Sequence, residues 1–244
     1  MLALPGHFGF IPHAPAAALM NAMGNRTGED FLGLIVPLGE RGNGGGWFVT
    51  VQYTPSGYVK DGDARHWDAD KLLRSLKDGT EAANEERARI GVPPLIVTRW
   101  VEPPAYDPGP HRLVWSAEAK LRNGGDKDPT INYNTYLLGR EGYLSLDLIT
   151  SASAVEADKA AAHELLAAVK FNSGKRYADF DSSTDKVAAY GVAALVAGVA
   201  AKKLGLLALL AATVVKFAKV IVLATAGGFA AVWTWLRSRG SRAA

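Results

Sequence analysis

Apolar and polar positions alternate in distinct ways along the first 185 residues, and the period of each stretch predicts its element. Phe31 to Leu38 (FLGLIVPL) and Trp47 to Tyr53 (WFVTVQY) are apolar runs of strand length, and the glycine-rich Gly42 to Gly46 between them predicts a hairpin. Leu95 to Val101 (LIVTRWV) reads as a strand that stops at a Pro-rich turn, Glu102 to Pro110. From His111 to Leu121, Leu113, Trp115, Ala117 and Ala119 alternate with Arg112, Ser116, Glu118 and Lys120, the period of a half-buried strand. Ile131 to Leu138 and Tyr143 to Ile149 flank Gly139-Arg140-Glu141-Gly142, a second hairpin. Helices are predicted over Pro15 to Met23, Ala69 to Ile90 and Val155 to Val169. The longest has Asp68 as N-cap and ends at Gly91-Val92-Pro93-Pro94. Its buried stripe is Leu72, Leu73, Leu76, Ala83 and Ile90, with Glu81, Glu85, Glu86, Arg87 and Arg89 on the wet side and Gly79 weakening the middle. Strands in runs with helices between the pairs predict an α+β domain, an antiparallel sheet covered by helices on at least one face.

The pattern changes at Lys186. From there to Ala244 the chain holds no Asp or Glu, and apolar residues run from Val187 to Leu236 with only Lys202, Lys203, Lys216 and Lys219 between them. Such a stretch predicts a C-terminal helical membrane tail over 186–244, following a domain over 1–185. Val187 to Ala201 would cross only about 22 Å as a helix, short of a hydrocarbon core of roughly 30 Å, so Val187 to Val215 reads as an interfacial segment or a first span leaning on Lys202 and Lys203. Val220 to Leu236 is the strongest span, with Trp233 and Trp235 near its end and Arg237, Arg239 and Arg242 beyond. The expected membrane anchor is therefore Val220, Trp233, Trp235, Arg237 and Arg239, and two spans joined near Lys202 to Lys219 are the competing topology. Both place the folded domain outside the cytoplasm by the positive-inside tendency. Met1 to Ala22 has no Lys or Arg and is broken by Pro5, Pro12 and Pro15, so it is not a secretory signal, and an outward domain predicts a start further upstream.

Charge follows the same division. Residues 1–185 carry 19 Lys+Arg against 24 Asp+Glu, while residues 186–244 carry 8 Lys+Arg and no acid. The net charge of +3 thus belongs to the tail, whose natural partner is an anionic bilayer; the acidic domain argues against nucleic acid and leaves an envelope protein as the other expected partner. Without cysteine there is no disulfide framework and no thiolate metal site.

Few residues suggest chemistry. Asp61, Asp63, Asp68 and Asp70 crowd His66, but a calcium loop counted from Asp61 would need ligands where Arg65 and Leu72 stand, so the acids read as helix-capping and no metal site is expected. Tyr106, Asp107 and His111 surround the Pro-rich turn. A His–Asp pair there is the one candidate for general acid–base catalysis, set against turn packing and Asp-mediated turn bonds. Gly42 to Gly46 lacks the Lys and Ser/Thr of a phosphate loop, and no cofactor is expected. Asn132, Tyr133, Asn134 and Thr135 lie on a strand, where alternate ones either face a polar groove or pair within the sheet, and Trp47, Trp100 and Trp115 either fill the core or line a ligand cleft.

Several motifs in order carry a resemblance: Ser56-Gly57-Tyr58-Val59-Lys60-Asp61-Gly62-Asp63-Ala64, Glu81 to Arg87 (EAANEER), Trp100 to Asp107 (WVEPPAYD), His111 to Trp115 (HRLVW), Asn132-Tyr133-Asn134-Thr135, Leu138-Gly139-Arg140 and Tyr177 to Phe180 (YADF). Together they resemble the bacterial membrane-anchored family called domain of unknown function 2167. The resemblance implies an envelope protein of the bacterial inner membrane with a periplasmic or otherwise extracytoplasmic domain, a C-terminal anchor and no assigned reaction. Three functions remain open: a non-enzymatic binding or interaction module, a membrane-bound hydrolase or transferase using the Asp107/His111 region, and a solute-sensing module with an aromatic pocket.

Overall fold

The computed structural model describes Leu2 to Ala197, without Gly24, Arg26, residues 39–45, Ile90, Val92 and residues 125–127. The expected anchor residues Val220, Trp233, Trp235, Arg237 and Arg239 lie outside the described residues. Among the described residues no helix is long and apolar enough to cross a membrane.

In chain order the strands are β1 (Phe8–Pro12), β2 (Phe31–Pro37), β3 (Phe48–Thr54), β4 (Tyr58–Lys60), β5 (Leu95–Asp107), β6 (Arg112–Leu121), β7 (Thr130–Leu138), β8 (Tyr143–Ser151) and β9 (Val187–Gly191). The helices are α1 (His13–Ala22), α2 (Ala69–Arg89), α3 (Val155–Ala168) and the single turn α4 (Ala193–Val196). Seven strands build one antiparallel sheet in the order β1-β2-β3-β8-β7-β6-β5, while β4 and β9 pair in parallel beside it. The α+β class and the antiparallel sheet are as the sequence predicts.

Period-two alternation sorts the sheet into two faces. On β7, Ile131, Tyr133 and Leu137 point to one side with Leu146 and Leu148 of β8, where Val155, Ala162, Leu165 and Leu166 of α3 pack on them. Asn132, Asn134 and Tyr136 point to the other. That second face is roofed in two places. Ala16 and Met20 of α1 cover Leu34, Val36 and Phe48. Leu72 of α2 and Leu195 and Val196 of α4 cover Leu113, Trp115 and Ala117 of β6.

Three expectations are corrected. The run from Glu102 to Pro110 is not all turn, because β5 continues to Asp107. It is the last strand of the sheet, and the register slips between Glu102 and Ala105, so Pro103 and Pro104 sit on an edge at a bulge where a missing N–H is harmless. The second correction concerns the stretch after Lys186. Val187–Gly191 forms β9, and Val192, Leu195 and Val196 are buried against the sheet rather than opening a membrane tail. An acid-free apolar sequence suits a protein interior as well as hydrocarbon, and eleven residues do not distinguish the two. The third is that α2 runs unbroken through Gly79, and that Arg87, expected on its wet side, is 1% exposed. Leu72, Leu76, Thr80, Ala83 and Arg87 recur at helical spacing on one stripe, so the phase that buries the leucines also buries the arginine.

Candidate functional site

Asp107 and His111, the candidate acid–base pair, are engaged with different partners. Asp107 is spent on its own turn, accepting the Gly109 N–H at 2.9 Å. His111 instead meets Asp61, with Nδ1 3.5 Å from Asp61 Oδ2 and 3.1 Å from the Tyr106 hydroxyl, which donates to the same carboxylate at 2.8 Å. His111 adopts a left-handed backbone (φ 54°) at the end of the turn, and its ring stacks on Tyr177 at 4.0 Å. Tyr58 continues the stack onto Tyr177 and Phe180, and the Tyr177 hydroxyl donates to the Val59 carbonyl at 2.9 Å. Burial, then the bond to Asp61, raises the Tyr106 phenol well above its ordinary value, so it stays protonated and acts as a donor. These residues clamp β4 to the β5–β6 turn.

Between α2 and the floor of β6 and β7 lies a cavity of about 150 Å³. Its floor follows two strands in register: Ala117 stands opposite Asn132, and Trp115 opposite Asn134, with Ala119 one step beyond. The alanines make the floor low, and Gly79 and Ala83 of α2 make the roof thin, so a void opens where larger side chains would interlock. Trp115 and Tyr136 wall one end together with Leu195 and Ala197; Arg87, Leu95 and Val97 close the other. The lid is firmly fixed. Trp100 Nε1 donates to the Ala69 carbonyl at 3.2 Å at the start of α2. Near its end the Asn84 carboxamide both donates to and accepts from the Leu95 backbone, each bond 2.9 Å.

The cavity is apolar except at a few points. Arg87 Nε donates to the Pro93 carbonyl at 2.9 Å, but its two terminal nitrogens have no hydrogen-bond partner. Burial lowers this guanidinium to about 10, still protonated at neutral pH. Asn132 Oδ1 is also unpaired. Beyond Asn134 the polar stripe continues across the sheet to Asp147 and Thr50. Asp147 is half-buried with its Oδ1 shielded from solvent, and desolvation pushes its carboxyl up to about 7, only partly offset by the Ser145 hydroxyl and the Thr135 backbone N–H. Its Oδ1 has no partner. Burial, then the charge on Asp147, raises the Tyr136 phenol well above its ordinary value.

Of the four residues Asn132 to Thr135, Asn132 and Asn134 line the cavity while Tyr133 packs in the core on the other face, and of the three strand tryptophans Trp115 lines the cavity. Trp47 is core, and Trp100 braces α2. Arg87 and Asp147 were not singled out, although the helical stripe pointed to the first and a lone acid among Leu144, Leu146 and Leu148 to the second.

A family model described as "Protein of unknown function (DUF2167)" matches residues 1–226. The chain belongs to this family. No curated protein matches the DUF2167 chain in sequence. Among solved structures it is similar to cyanobacterial PsbP (CyanoP) from Synechocystis sp. PCC 6803, at 12% identity and a TM-score of 0.41, covering 68% of this chain and 82% of that one. It is also similar to a protein of unknown function from Pseudomonas aeruginosa, PA94, described as a putative regulator, at 11% identity and a TM-score of 0.27, covering 70% and 87%. At these scores neither likeness carries an argument about this chain.

Proposed function

We propose that this DUF2167 chain is a membrane-tethered binding module of the bacterial envelope whose domain takes up a small molecule in the cavity beneath α2. The observation that carries the reading is the void itself, walled by Trp115 and lined by Arg87 and Asn132, whose side chains keep polar atoms without a hydrogen-bond partner. Interiors pack densely, and a built cavity with a few placed polar groups is what a small-ligand site requires. Of the three functions left open by sequence, this combines the binding module with the aromatic-lined sensor. The hydrolase or transferase reading has no support, since Asp107 and His111 serve separate structural roles. The tether rests on the acid-free tail and its Trp- and Arg-flanked end.

Filling the void tests the reading. A panel of water-soluble aromatic and short aliphatic compounds, neutral and anionic, is expected to include members that raise the melting temperature of the full chain. Ala117→Leu, which puts a larger side chain on the cavity floor, is expected to fold and to lose those shifts. A panel that moves neither protein, or moves both alike, overturns the assignment.

A further inference from the structure

Among the described residues, the cavity walls carry one cation and no acid. The cation is Arg87, and it is 1% exposed. A guanidinium taken out of water needs an opposite charge or a full set of hydrogen bonds, because its desolvation is expensive and it does not shed its proton. Here Nε is bonded to the Pro93 carbonyl while both terminal nitrogens are left without a partner. Those two nitrogens form the edge that receives a carboxylate through two parallel N–H···O bonds. Asn132, unpaired at Oδ1, offers a carboxamide that donates an N–H when turned over.

We infer that the cavity binds a small monoanionic acid, with its carboxylate on the terminal nitrogens of Arg87 and its apolar body running along Ala117 towards Trp115. The inference rests on the pocket reading above and adds the charge and size of the ligand. Size follows from volume: a void of about 150 Å³ holds a benzene-sized body, so the acid has roughly six to nine heavy atoms. A dianion such as a phosphate monoester would be left with one uncompensated charge beside a single arginine. A zwitterionic amino acid would find no wall carboxylate for its ammonium. The remaining walls, including Leu76, Leu95 and Val97, suit a hydrocarbon or aryl group.

Calorimetric titration of the full chain in lipid nanodiscs with matched pairs decides it: benzoate against benzamide, and hexanoate against hexanamide. Each acid is expected to bind about ten- to a hundredfold more tightly than its amide, the range of a charge-assisted hydrogen bond. Arg87→Met, similar in length but uncharged, is expected to bring acid and amide to equal affinity. Should that variant fail to fold, the comparison on the unaltered chain still decides. Amides that bind as well as acids overturn the charge assignment while leaving the pocket reading intact. If neither acids nor amides bind, both fall together.

Discussion

Burial acts on Asp147 and Arg87 in the same way but with different outcomes, because only one of them can give up its charge. A carboxyl raised to about 7 in the folded protein, against about 3.9 in an unfolded chain, retains its proton on folding across that interval. The unfolded chain binds fewer protons there, so stability contributed by this site falls as pH rises from about 4 to 7 and is level above and below. Asp147→Asn is expected to abolish that slope and to stabilise the protein at pH 8 by about 1–3 kcal/mol, the cost of an unsatisfied buried group. Denaturant unfolding of both proteins at a series of pH values checks it, and an unchanged slope in the variant would contradict the assignment. Both residues left a trace in the sequence. Asp147 interrupts an alternating strand on the face opposite Leu144, Leu146 and Leu148, and Arg87 lies on the stripe of Leu72, Leu76 and Ala83. The roof over Leu113, Trp115 and Ala117 was not legible, because Leu72, Leu195 and Val196 lie more than forty positions away in sequence, and charged neighbours such as Glu85 and Arg89 disguised the phase of the helix.

At the scale of elements, the hairpins and helices follow from local signals: the glycine-rich connectors, the two-residue alternation and the Asp68 cap, whose Oδ1 accepts the Asp70 and Lys71 N–H groups at 2.9 and 3.0 Å. The parallel pairing of β4 with β9 was hidden, since it joins segments 127 or more residues apart and depends on a single backbone approach. Gly57 makes that approach possible. Its φ of +88° is a left-handed conformation, and an added Cβ would lie 2.6 Å from the Lys186 carbonyl oxygen, which also accepts the Tyr58 N–H at 2.8 Å. Gly57→Ala is expected to destabilise the domain by about 1–3 kcal/mol and to loosen β9 from β4. Thermal unfolding and limited proteolysis near Lys186 measure both, and an unaltered cleavage pattern would speak against this role. Just upstream, Arg140 grips Asp185 through Nε and a terminal nitrogen at 2.6 and 2.8 Å, holding the carboxyl down at about 2. That pair fixes the chain as it enters β9.

For the whole molecule, residues 1–185 carry an excess of acid and residues 186–244 an excess of base. If the tail inserts, hydrophobic attachment should dominate over electrostatic attachment. The full chain is then expected to float with lipid vesicles on a density gradient and to remain with them in high salt, which releases purely electrostatic binders. Recovery in the soluble fraction without detergent would contradict the tether. The α+β architecture was legible because strand and helix periods are local, whereas the burial of Val192 to Ala197 against the sheet was not, because an acid-free apolar run reads alike for a protein interior and for hydrocarbon.

Leu195 and Ala197 line the cavity, yet they belong to the acid-free stretch that begins after Asp185. Trimming the chain at Lys186 to obtain a shorter fragment would therefore remove part of the wall and leave the pocket breached on that side.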